Sequence, residues 1–242
     1  MERSLKSVPP AVYLLLAGGL ALQISWHAFA GSPRVSAEAL PAPPSSSALR
    51  ALSLGEPTSL ARLSMLWLQA FDNQPGVSIP FRQLDYLTVT KWLSEILKLD
   101  PHMHYPLLSA TRVYAEVAEP SKQRIMLDFA FEKFSEAPNE RWPWLAHAAY
   151  VAKHRMHDLP LALEYARALA AEVTDPSVPS WATQMHIFIL EDMGELESAK
   201  VLIGGLLESG NITDIAELNF LTSRLDRLEA EVKQAGEARG GR

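Results

Sequence analysis

The sequence predicts an all-α fold, a right-handed solenoid of helical hairpins preceded by one apolar N-terminal helix. Three observations predict it. Apolar residues recur at helical spacing from Leu49 onward nearly throughout, with no convincing run that alternates as a strand would. Proline steps at Asp100-Pro101, Ala137-Pro138 and Asp175-Pro176 close successive helical patterns, 37 and then 38 residues apart. That period belongs to stacked helix pairs, none of which buries its apolar face alone. Finally, no charged residue occurs between Ser7 and Pro33.

The N-terminal part, residues 1–30, is a membrane signal. Its strongest stretch is Ala11–Leu22 (AVYLLLAGGLAL), with weaker apolar sequence to Ala30, and Arg3 and Lys6 precede it. Two readings stand. An uncleaved anchor over residues 11–30 would just span ~30 Å of hydrocarbon, with Tyr13 and Trp26-His27 toward the interfaces. A cleaved signal peptide would use the small-x-small site Ala28-Phe29-Ala30 before Gly31. Either puts Arg3 and Lys6 in the cytoplasm and the C-terminal part across the membrane, in the periplasm if the source is bacterial. Residues 31–47 (GSPRVSAEALPAPPSSS) read as a linker, being rich in proline, serine and alanine without apolar period.

The helical domain spans residues 48–234. Its first full helix follows Pro57, a residue favoured in the first turn. Leu60, Leu63, Leu66, Trp67, Ala70 and Phe71 form one apolar stripe there, and Asn73-Gln74-Pro75-Gly76 ends the helix. A second helix over about 83–99 turns Tyr86, Val89, Leu93, Ile96 and Leu97 inward. Pairs follow at 104–117 and 121–136, at 142–156 and 159–173, and at 179–193 and 195–209. A last helix over about 214–234 opens with the capping-box spacing Asp214…Glu217. It carries Leu218, Leu221, Leu225, Leu228 and Val232 on one face and charges on the other, as a terminal cap requires. Residues 235–242, glycine-rich and charged, read as a disordered tail.

These units resemble tetratricopeptide repeats, in divergent form. Met193-Gly194-Glu195-Leu196 with Ala199 is the clearest match. His157-Asp158, Ala162 and Pro176 mark the preceding unit, and Val89 with Asp100-Pro101 an earlier one. The unit over 104–138 departs from the pattern, with Ser121 and Met126 where glycine and alanine are expected. The resemblance covers about residues 58–210 and implies a fold that presents a groove to another protein.

Composition narrows the chemistry. Of 242 residues, 21% are charged and 48% hydrophobic, the balance of a globular chain. A formal charge of −6 without a Lys/Arg-rich run argues against nucleic acid. Cysteine is absent, which excludes disulfides, thiolate metal sites and cysteine nucleophiles. No nucleophile elbow, Walker loop, dinucleotide fingerprint or H-E-x-x-H occurs, so no enzyme, cofactor, metal or small-molecule substrate is expected. His102-x-His104 sits in a turn. His154 and His157, with Asp158, are the best metal alternative, yet they lack a third ligand at a diagnostic offset. Asn211-Ile-Thr213 fits a glycosylation sequon, relevant only in a eukaryotic secretory pathway.

The aromatic residues suggest binding. Trp142, Trp144, Tyr150 and Trp181 lie on first helices of successive pairs, where they could line a binding face or fill space between repeats. Lys153 and Arg155 beside Tyr150 would suit an acidic or C-terminal peptide. The expectation is a membrane-tethered, extracytoplasmic scaffold or adaptor with a protein partner in an envelope assembly. Its rivals are an exported metal protein or enzyme using His154 and His157, and a permanent accessory subunit of a membrane complex.

Overall fold

The fold is that of a computed structural model describing residues 9–29, 37–210, 212 and 214–240, with backbone alone for 235–240. Eleven α-helices carry the described residues: α1 (Pro10–Phe29), α2 (Ser46–Leu52), α3 (Pro57–Ala70), α4 (Tyr86–Leu99), α5 (Tyr105–Arg112), α6 (Pro120–Glu136), α7 (Pro138–His154), α8 (Leu159–Glu172), α9 (Ser180–Asp192), α10 (Leu196–Glu208) and α11 (Ile215–Gly240). The protein is all-helical, with one N-terminal apolar helix. It divides into two units, Met1–Glu38 with Asn73–Ser78, and Ala39–Asp72 with Ile79–Arg242.

In the first unit, α1 is 20 residues long and buries none of them. At ~1.5 Å per residue it is about 30 Å long, enough to cross a membrane or to serve as a signal sequence. Ala30, Gly31, Arg3 and Lys6 lie outside the described residues, as do Asn211 and Thr213 of the sequon. Asn73–Gln74 and Val77–Ser78 pair as a short antiparallel hairpin that the helical pattern concealed. Pro75-Gly76 turns it, with Gly76 at φ +81°, a conformation that costs glycine nothing. The Gln74 side chain bonds the backbone of Glu38 in both directions, at 2.8 and 3.0 Å.

In the second unit, each helix from α3 to α11 packs on the next in the chain; α5, α7 and α9 also touch in series, as do α4 and α6. Proline opens α3, α6 and α7 at their first residue, where its missing N–H has no intrahelical partner to lose. Pro138 therefore begins α7, four residues before the expected start, instead of trailing α6. Small residues sit where helices cross: Ala61, Ala110, Ala148, Ala149, Ala162, Ala182 and Ala199 are fully buried. Val89, Leu93, Ile96, Leu127, Phe134, Leu145, Leu169 and Ile187 fill the space between.

The turns follow local chemistry. Between α9 and α10, Gly194 at φ +79° lets Glu195 N–H reach the Leu190 carbonyl and Gly194 N–H the Glu191 carbonyl, a Schellman ending. The α7–α8 turn puts His157 in the same left-handed region at φ +55°. Asp158 then caps α8 through Leu161 N–H at 3.0 Å. Asp214 accepts from Ala216 and Glu217 N–H, but the Glu217 carboxylate bonds Ser180 and Gln184 of α9 instead of returning to Asp214.

Three more sequence expectations change. The linker is not free from Ala39 on: Leu40 is buried, Trp92 Nε1–H donates to the Pro41 carbonyl at 2.7 Å, and Ser46 Oγ–H to Glu95 at 2.6 Å. The apolar stripe of α3 is largely unburied, because Ala61, Met65 and Leu68 face the core and leave Leu63 and Leu66 62% exposed. The last helix continues to Gly240, past the residue 234 where its apolar pattern stops.

Candidate binding face

Four of the six candidate residues meet where α7 lies against α9. Tyr150 and Trp181 are about half exposed and line a groove of about 220 Å³ together with Lys153, His154, Met185 and Phe188. Trp142, earlier on α7, sets its ring edge-on to Trp181 at 5.7 Å. Trp181, Met185 and Phe188 are four and then three residues apart, so one side of α9 carries all three. That spacing is the sequence signal for Met185 and Phe188, which are not among the expected binding residues.

Tyr150 is held from both sides. His147 stacks nearly parallel at 5.7 Å, and His154 lies against the other side at 4.7 Å. Beyond Tyr150 a basin of about 510 Å³ opens toward α5, lined by Arg112, Glu116 and His147. Burial, with a smaller contribution from the Arg112 charge, holds the His147 imidazole below its usual range. Its Nε2 is buried and makes no hydrogen bond. At neutral pH the basin thus presents a neutral imidazole beside the Arg112 guanidinium.

The other two candidates, Trp144 and Arg155, and Lys153 at the groove, are already engaged within the chain. Trp144 turns to α5, with Nε1 3.3 Å from His104 Nδ1. Lys153 pairs with Asp192 of α9, and Arg155 with Glu116 at 2.5 Å. An acidic ligand would have to exchange with Glu116 or Asp192. On the far side, the Arg224 guanidinium of α11 covers the Phe188 ring at 4.8 Å while holding Glu191. Phe188 thereby gets a polar lid.

The metal alternative finds little geometry. His154 ends α7 and packs on Tyr150, whereas His157 lies in the following turn and Asp158 is used as a helix cap. Among the described residues, no group of three or more His, Asp or Glu side chains could share an ion. His102 is spent on Glu140 at 2.9 Å.

No protein-family model, curated protein or solved structure matches the chain.

Proposed function

We propose that the chain is a membrane-tethered, extracytoplasmic scaffold whose second unit is a tetratricopeptide-like solenoid. One observation carries the reading: a half-exposed aromatic pair, Tyr150 and Trp181, flanks an open groove on two neighbouring helices. Large rigid aromatics in a concave, partly desolvated setting are the usual anchors of a protein partner.

The periodic arrangement is supported by side-chain bonds whose separations cluster around the repeat length, from 33 to 40 residues. Arg224–Glu191, Asn139–Thr174, Tyr165–Asp128, His102–Glu140 and Arg141–Pro101 join residues 33, 35, 37, 38 and 40 apart. Each helix pair is thereby tied to the next, as nearest-neighbour stacking demands. Placement outside the cytoplasm rests on α1 and on Arg3 and Lys6 before it.

The test is site-specific photo-crosslinking in native membranes. A photoreactive residue at Trp181 should trap one discrete adduct, which Tyr150→Ala should weaken. The same probe at Val201, exposed on α10, should trap none. Equal labelling at both positions, or an adduct indifferent to Tyr150, overturns the groove as the binding face.

A further inference from the structure

The exposed side of α3 leaves a cluster of large apolar side chains uncovered, next to an exposed corner that is apolar as well. Leu63 and Leu66 are each 62% exposed and Trp67 is 41% exposed, on one side of the helix. At the preceding corner Leu52 is 62% exposed and Leu54 92% exposed. Leu54 stands at φ +48°, a left-handed conformation that a leucine pays for in steric strain. Strain spent to hold a leucine in water calls for something that covers it.

Three features point to what does. The chain arriving from α1 joins the second unit beside this side: the Pro41 carbonyl is held by Trp92, whose ring is 4.7 Å from that of Trp67. The leash is short, since only the ten residues 30–39 separate Phe29 from the buried Leu40, at most roughly 40 Å of chain. The charge also fits an anionic surface. Residues 46–70 contain Arg50 and Arg62, both exposed and in no ion pair among the described residues, against one acid, Glu56; from the neighbouring α4, Glu95 lies within the field of Arg50, which leaves Arg62 as the freer cation.

We propose that the α2–α3 corner and the uncovered side of α3 form a lipid-docking face, with Leu52, Leu54, Leu63 and Leu66 entering the headgroup region and Arg50 and Arg62 meeting anionic lipid. Trp67, on the same side and packed on Trp92, is a residue type that favours the interfacial region. This deepens the tethered-scaffold reading and rests on α1 being retained in the bilayer. The membrane then holds the second unit at a second point as well as by its leash.

The absence of cysteine makes the test direct, because every introduced thiol is unique. Full-length protein carrying Leu54→Cys or Leu63→Cys, each labelled with an environment-sensitive dye, is reconstituted into vesicles of phosphatidylethanolamine and phosphatidylglycerol, three to one. Brominated lipid is the quencher. Leu16→Cys in α1 reports the tether and Val201→Cys the solvent-facing reference. The expected result is a blue shift and loss of most fluorescence at 16, 54 and 63, with 201 unchanged. Quenching at 16 while 54 and 63 match 201 overturns the docking face and leaves the tether standing. No quenching at 16, 54 or 63 overturns both. A blue shift at 54 and 63 without quenching puts protein, such as a second copy, on this side and overturns the lipid assignment. Adding Leu54→Asp and Leu66→Asp to the Leu63 probe should abolish its quenching; quenching that survives both charges also overturns it.

Discussion

Removing the Arg141 guanidinium should cost about 3 kcal/mol, worked from what it leaves behind. Arg141 is 5% exposed and donates to three acceptors: the Lys133 carbonyl at 2.6 Å, Glu136 at 2.7 Å and the Pro101 carbonyl at 3.0 Å. The Lys133 carbonyl depends on it, because Ala137 N–H, its helical partner by position, bonds Phe134 instead. Arg141→Ala therefore strands two carbonyls at about 1–3 kcal/mol each, toward the low end for Pro101, which is less enclosed. The Glu136 side chain is half exposed, so the ion pair itself adds under about 1 kcal/mol. At about 2–4 °C per kcal/mol for a domain this size, the melting point should fall by about 6–12 °C in a circular-dichroism melt. Arg141→Met keeps the aliphatic stem and should recover little, whereas Glu136→Gln should lose less than about 1 kcal/mol. A melt of Arg141→Ala within about 2 °C of the parent, or full recovery by Met, would refute the assignment of the loss to stranded carbonyls.

Four further outcomes are expected. His157→Gly should stabilise by about 0.5 kcal/mol, the relief of a left-handed residue less the added chain entropy of glycine, read as a higher urea midpoint. Gly194→Ala should destabilise by about 1 kcal/mol for conformational reasons alone, since nothing lies within 4 Å of the added methyl. Burial raises the Glu136 pKa, but hydrogen bonds from Lys133 and Arg141 outweigh it and hold the carboxyl below its usual range. Its stabilisation is thus present above the unfolded value near 4.5 and lost as pH falls through the folded value, so Glu136→Gln should flatten the acid limb of the stability profile. Burial, helped by the Glu119 charge, pushes the Tyr86 phenol up to about 12, and burial raises Tyr114 and Tyr165 as well. Their neutral forms stabilise the fold below pH 10, and that contribution drains away above it; ultraviolet titration should show their phenolates appearing only with unfolding.

The helices were legible because their apolar spacing and proline openings act locally. Tyr86, Val89, Leu93, Ile96 and Leu97 were expected inward and are buried. What failed depended on distant partners. The stripe of α3 was visible, yet which side it presents to the core is set by α4 through Ala61, Met65 and Leu68. Nothing in a Pro/Ser/Ala-rich stretch announces that Trp92 lies 51 residues ahead to hold Pro41. At the candidate site, Tyr150 and Trp181 could be singled out as aromatic residues on first helices. The pairing of Lys153 with Asp192 and Arg155 with Glu116 required the neighbouring helices to be in place.

The tie between α11 and α9 has a consequence for local opening. Arg224 grips Glu191, and Glu217 holds Ser180 and Gln184, so the last helix is fastened past α10. Between them, α10 buries only Ala199 and Ile203 and carries Gly204 and Gly205 in its interior, each about 1 kcal/mol less helix-favouring than alanine. Amide protons of α10 should therefore exchange by a private opening, faster than those of α9 or of the first half of α11, without the chain end coming loose. The open groove of about 700 Å³ that α10 lines together with Thr183, His186 and Ile187 of α9 would then change width while the molecule as a whole stays folded.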